Sequence, residues 1–185
     1  MEANPGFPAT LEAARAGEEW ALTALYRGLH AKLLRYLIAH EPDEADDIAS
    51  EVWLDVAAGL ADFAGDERDF RAWSFTIARR RLTDSRRKTE RDQRRLVPMR
   101  EVRSREGDGD DVPTLAESDL AIRAALKRLA ALPHDDAEVI LLRVVGGFTA
   151  EEVGMLIQRP TATVRSWQQR AIRRLIRAER AEEVA

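Results

Sequence analysis

The chain contains no cysteine, which excludes disulfides and thiolate metal ligands. Lysine is almost absent, standing only at positions 32, 88 and 127. None of the three follows a glycine in the frame of a phosphate-cradling P-loop, so a nucleotide motor built on that loop is excluded. No apolar run approaches the roughly 18 residues needed to cross a bilayer. The opening MEANPGFPATLEAARAGEEW has no basic stretch followed by an apolar one, so no signal peptide is expected. No alternating strand pattern occurs anywhere. His30, His40 and His134 are scattered without metal-ligand spacing and are expected at the surface or at helix ends. What remains is a chain of 185 residues, 45% hydrophobic and 34% charged, expected to be globular, cytoplasmic and without membrane contact of its own.

Its charge is segregated. The net value of −4 hides two acidic and two basic blocks. Residues 41–69 hold eleven acids against one base, and 106–119 hold six acids and no base. Residues 79–105 hold twelve bases against four acids, and 159–180 seven arginines against one acid. Two basic blocks on helical patterns suggest two nucleic-acid contacts.

Apolar residues recur at helical spacing from Leu11 to Ala39, after ten residues expected to be disordered. Pro42 ends that helix and Asp43 is expected to cap the next, with Asp46 and Asp47 at its positive end. There Ile48, Val52, Val56 and Leu60 form one face, with Trp53 beside them. AGDER at 64–68 reads as a loop, and 70–88 as a third helix with Phe70, Trp73 and Ile77 toward the core. From about residue 96 the period dissolves into a flexible linker. Its GDGDD lacks the terminal glutamate of a calcium loop. Helical patterns resume near Ser118, stop at Pro133, and continue over 135–145 to Gly146–Gly147, a C-cap signal. The fold class is all-α, two small helical domains joined by a linker. The boundaries are 1–10, 11–95, 96–116, 117–180 and a tail at 181–185.

The tetrad DEAD at 43–46 opens a helix and follows His-Glu-Pro. A helicase carboxylate motif follows a buried strand, so this one is a coincidence of an acidic segment. Glu51 and Asp55 are one turn apart, but a carboxylate-metal nuclease needs a cluster converging from several elements. The outer face of that helix carries Asp47, Ser50, Glu51, Leu54 and Asp55. A leucine amid acids suits a basic protein partner with Leu54 as anchor, and would repel DNA. The bland reading is an ordinary exposed leucine.

Thr149-Ala-Glu-Glu152 is a capping box. The short helix it starts ends near Ile157, Gln158-Arg159-Pro160 makes a turn, and a helix over 162–178 follows, with Thr161 expected to cap it. This is helix-turn-helix geometry. Arg165 can read guanine, supplemented by Ser166, Gln169 and Arg170. Arg173, Arg174 and Arg177 lie further along, toward phosphates. A plain helical hairpin is the alternative.

Three stretches, DEADDIASEVWLDVAAGL, FRAWSFTIARRRLTDSRRK and ALKRLAALPHDDAEVILLRVVGGFTAEEVGMLIQRPTATVRSWQQRAIRRL, together resemble the extracytoplasmic-function (ECF) RNA polymerase sigma factors, sigma-70 family, over about residues 10–180. The resemblance implies a non-enzymatic specificity subunit that needs no cofactor. Its partners would be core RNA polymerase (beta-prime clamp and beta flap), promoter DNA and an anti-sigma factor. Core polymerase would be held by Asp46, Asp47, Ser50, Glu51, Leu54 and Asp55. The minus-ten element would meet Asp66, Arg68, Arg71, Arg79, Arg80, Arg86 and Arg87. The minus-thirty-five element would meet Thr161, Thr163, Arg165, Ser166, Gln169, Arg170 and Arg173. Trp73 matches the family's core tryptophan and is expected to be structural. Ser50, Arg80, Gln158, Ala162 and Trp167 depart from the family's usual residues, which bears on promoter choice. An inhibited sigma factor would hold its domains together, and a polymerase-bound one apart. The rival is a free-standing helix-turn-helix regulator that needs no acidic docking face.

Overall fold

The computed structural model describes residues 6–95 and 116–183. Among them every regular element is an α-helix: α1 (Phe7–Arg15), α2 (Glu19–His40), α3 (Ala45–Gly59), α4 (Glu67–Arg95), α5 (Ala116–Ala130), α6 (His134–Val144), α7 (Ala150–Ile157) and α8 (Thr161–Glu183). The linker reading of 96–116, with its GDGDD, lies outside the described residues except for Ala116, which opens α5.

The stretch expected as one helix from Leu11 to Ala39 is two. Gly17 sits between them at φ +84°, a left-handed conformation that only a residue without Cβ adopts freely. The N–H groups of Ala16, Gly17 and Glu18 bond back to carbonyls of α1 and close its last turn. Residues 7–10, expected to be disordered, form the first turn of α1. Pro8 is tolerated there because the first-turn N–H groups have no helical acceptor. Leu11 and Ala14 then bury against α2.

Asp43 does not cap α3. Glu44 precedes that helix, makes no capping bond, and instead accepts a hydrogen bond from the Ser85 hydroxyl of α4. The cap signal that the sequence reading missed is Asp66. Its carboxylate accepts the N–H groups of Arg68 (2.8 Å) and Asp69 (2.9 Å), so α4 starts at Glu67 rather than 70. No breaker follows Lys88, and α4 runs on to Arg95. Trp73, as expected, is structural. Its ring stacks on Phe63 with centroids 5.0 Å apart. Gly59 lies beneath it, where a Cβ would fall 2.8 Å from the indole.

The first four helices bury Leu25, Leu33, Leu37, Val52, Val56 and Ala78. The last four bury Val139, Leu141, Leu142, Val153, Val164 and Ala171. The two cores meet. Tyr36 packs edge-on against Phe75 (5.3 Å), and Phe75 edge-on against Phe148 (5.1 Å). Such pairs contribute about 0.5–1.5 kcal/mol each beyond area burial. The domains therefore lie against each other, and α4 faces both.

Candidate nucleic-acid interface

The helix-turn-helix is α7, the turn and α8. Thr149 and Glu152 form the capping box as its spacing requires: the Thr149 hydroxyl accepts the Glu152 N–H (3.2 Å) and the Glu152 carboxylate accepts the Thr149 N–H (2.6 Å). Gln158 ends α7 in the left-handed region at φ 55°. Gly154 permits the tight return, since a Cβ there would meet the Arg159 carbonyl oxygen at 2.7 Å. Thr161 is the first residue of α8 rather than its cap; the Pro160 carbonyl accepts the N–H groups of Thr163 and Val164. α8 runs past the expected end at 178 to Glu183.

With Val164 and Ala171 buried, α8 turns Arg165, Ser166, Gln169 and Arg173 outward, and leaves Thr161 and Thr163 half-buried. Arg165 reaches only an exposed Glu151 (2.6 Å). Arg170 behaves differently from the others. Its Nε donates to Asp136 at 2.8 Å, and Arg174 Nε lies 3.3 Å from the same carboxylate, which is fully buried. Arg170, its side chain still 44% exposed, is thus tied to a buried carboxylate, whereas Arg165 meets an exposed one.

On α3, Asp46, Asp47, Ser50 and Glu51 are exposed. Leu54 is 70% exposed, far more than the half-exposed leucines and isoleucines elsewhere. Asp55 is half-buried and accepts from both Arg80 (2.8 Å) and Arg81 (2.6 Å). The hydrogen bond from Arg81, opposed by burial and helped by Arg80, holds the Asp55 carboxyl below its ordinary value. Arg81 also reaches Glu51 (3.1 Å). Sequence reasoning missed Arg81; the only signal was the one-turn spacing of Glu51 and Asp55, which can bracket one guanidinium.

The arginines of α4 are mostly engaged. Arg68 bonds Glu152, and Arg71 lies 4.0 Å from the same carboxylate with its guanidinium 4.9 Å above the Phe148 ring. Arg79 donates to Glu138 at 2.6 Å and to the Leu156 carbonyl at the end of α7. Arg86 pairs with Glu41 (2.6 Å) and meets His134 (2.9 Å). Arg87 is exposed. Burial alone would raise the Glu138 carboxyl, but hydrogen bonding and charge from His40 and Arg79 outweigh it and hold the group at about 2.

His40 closes α2 and His134 opens α6, at helix ends as expected, although His40 is not at the surface. The His40 side chain is only 6% exposed and its Nε2 lies 2.9 Å from Glu138. His134 faces it across the domain boundary, centroids 5.8 Å apart. His30 stacks on Tyr26 (4.3 Å) and accepts from Trp53 Nε1 (3.2 Å); burial lowers its pKa. Among the described residues no group of three or more histidine or acidic side chains is placed to hold a metal ion. Nor is any described helix long and apolar enough to cross a membrane.

A helix-turn-helix module beside a second module with an arginine-lined helix defines a two-part DNA-directed protein, and comparison with known families specifies which. The Sigma-70 region 2 family matches residues 22–92, and the Sigma-70, region 4 family matches residues 122–175. The chain is 34% identical over 169 residues to the ECF RNA polymerase sigma factor ShbA of Streptomyces griseus, spanning 86% of this chain and 87% of that one. It is 30% identical over 174 residues to the ECF RNA polymerase sigma factor SigD of Mycobacterium tuberculosis, spanning 90% and 81%. The chain belongs to the ECF sigma factors, and its function is theirs, directing transcription as an initiation factor. Among solved structures its fold is similar to CnrH in complex with the cytosolic domain of CnrY (TM-score 0.65, 20% identity, 95% of this chain and 97% of that one). It is also similar to RpoE of Bartonella quintana in complex with the anti-sigma factor NepR (TM-score 0.58, 23% identity, 80% and 92%).

Proposed function

We propose that this sigma factor docks on core RNA polymerase through the outer face of α3 and reads promoters with two separate helices. The observation that carries the docking assignment is Leu54, 70% exposed within a rim of Asp47 and Glu51. An apolar anchor inside an acidic rim suits a basic protein surface, such as a polymerase clamp, and repels phosphate. The exposed face of α8, with Arg165, Ser166, Gln169 and Arg173, reads the duplex minus-thirty-five element, with Thr161 and Thr163 at its entry. Arg165 supplies the bidentate fork for guanine, and Arg173 lies better for phosphate. The start of α4 and its arginines take the minus-ten element. There a base is unstacked at a cost of a few kcal/mol, repaid in part by phosphate contacts.

The chain acts in the cytoplasm, without catalysis or cofactor of its own. A protein inhibitor is its third partner. That assignment is supported by the solved relative RpoE, whose structure is a complex with an anti-sigma factor.

The test is capture of core polymerase by immobilised Leu54→Arg and Asp47→Arg variants beside the unaltered chain. Leu54→Arg is expected to weaken capture by at least about tenfold, the scale of an interface anchor. Its melting temperature should be unchanged, because the side chain already lies in solvent. Undiminished capture would move the docking surface away from Leu54 and the outer face of α3.

A further inference from the structure

Glu138 is buried to 5% exposure on α6, yet its partners come from the other domain. The Tyr36 hydroxyl lies 3.0 Å from both carboxylate oxygens, His40 Nε2 lies at 2.9 Å, and Arg79 Nε donates at 2.6 Å. Asp136, two residues earlier on the same helix, is equally buried but is satisfied by Arg170 and Arg174 of its own domain. One acid fastens a domain to itself; the other fastens it to its neighbour. Glu152 repeats the second pattern. One of its oxygens caps α7, and the other takes Arg68, with Arg71 nearby. Three arginines assigned above to minus-ten phosphates are therefore held by carboxylates, groups that share the phosphate's charge and its fork-accepting geometry.

We propose that Glu138 and Glu152 form an internal latch that occupies Arg68, Arg71 and Arg79, closes the free chain against minus-ten DNA, and must be displaced when the domains part. The inference rests on the reading of these arginines as DNA contacts. A latch of this kind is strong in specificity and weak in net energy. A buried ion pair loses in desolvation much of what it gains in attraction. When the domains separate, both carboxylates return to water with Arg71 and Arg79, and Arg68 is already largely exposed, so no charge is stranded. An apolar seam at the same place would hold the domains shut; this one holds them closed reversibly. The other DNA face is not covered, since Arg165, Ser166, Gln169 and Arg173 remain outward in the same arrangement.

The experiment uses the full chain carrying E138Q and E152Q together, and E152Q alone. Glutamine keeps the shape, and at position 152 it also keeps the capping box. Two quantities are read: the radius of gyration by X-ray scattering, and affinity for a fluorescent single-stranded minus-ten oligonucleotide in the absence of polymerase. The double variant is expected to expand. If the open form is about a tenth of the free population, it should also bind the oligonucleotide about tenfold more tightly. Adding R68A, R71A and R79A is expected to abolish that gain. E152Q alone should move both readouts the same way by less, which keeps the test valid if the buried glutamine at 138 unfolds the chain. Unchanged dimensions and affinity in the variants would overturn the latch. Expansion with no gain in affinity would overturn it differently, by removing the DNA role of the arginines on which it rests.

Discussion

α4 and α8 are both arginine-rich helices, yet their arginines are answered from different places. On α8, Arg170 and Arg174 meet Asp136 of the same domain, and the remaining polar face stands outward. On α4, Arg68 and Arg79 meet Glu152 and Glu138 of the other domain, and Arg86 meets His134. A similar density of positive charge has thus produced one helix ready for DNA and one covered by a partner domain. The difference lies in whether the buried acid belongs to the helix's own fold.

The comparison can be broken most forcefully at Asp136. Asp136→Ala removes the buried carboxylate that Arg170 and Arg174 share and is expected to cost about 1.5–3 kcal/mol, the scale of charge-assisted hydrogen bonds. Thermal melting should show the loss, and an unchanged midpoint would remove the own-domain anchor from the account.

Acid should act on the other side. Glu138 sits at about 2 against an ordinary value of 4.5, so its contribution is fully present above 4.5 and is lost as pH falls through 2. On the order of 3 kcal/mol of stability is linked to that shift. Tryptophan fluorescence and scattering, followed from pH 6 to about pH 2, are expected to report opening and loss of stability only in the acid part of that range. E138Q should flatten the profile.

A smaller contrast separates two residues of α8. Arg165→Ala is expected to cost about 1–3 kcal/mol and to relax preference at one base pair of the minus-thirty-five element. Arg173→Ala should instead weaken all sequences alike and reduce the salt dependence of binding by about one phosphate contact. Binding titrations on a panel of substituted duplexes at two salt concentrations distinguish them.

The smallest effect concerns the turn itself. Gln158 occupies φ 55°, which costs a side-chain-bearing residue about 1 kcal/mol or more. Glycine relieves that strain but gives back roughly 0.5–1 kcal/mol in unfolded-chain entropy. Gln158→Gly is therefore expected to leave the melting temperature nearly unchanged or slightly raised.

The parts of this molecule legible in its sequence are those set by neighbours along the chain. The capping box at Thr149 and Glu152, the buried periodicity of Ile48, Val52 and Val56, and the exposed Leu54 all depend on spacings of three or four residues. Asp66 is equally local, but its neighbours give AGDER the composition of a loop and hide the cap at its third residue. The break at Gly17 was hidden because apolar spacing continues across it. What could not be read were the partners of the arginines. Arg79 meets Glu138 across 59 residues and Arg68 meets Glu152 across 84, and no local pattern encodes such a pairing. The meeting of His40 and His134 is hidden for the same reason, since they become neighbours only when the domains close.

The most direct test of the account is run-off transcription on genomic fragments by purified core polymerase, with and without this chain. Transcripts from discrete start sites are expected only when both are present, and the triple variant R68A, R71A, R79A should lose them while still binding core. Core polymerase that gains no start sites, with the chain alone shifting duplex DNA, would contradict it.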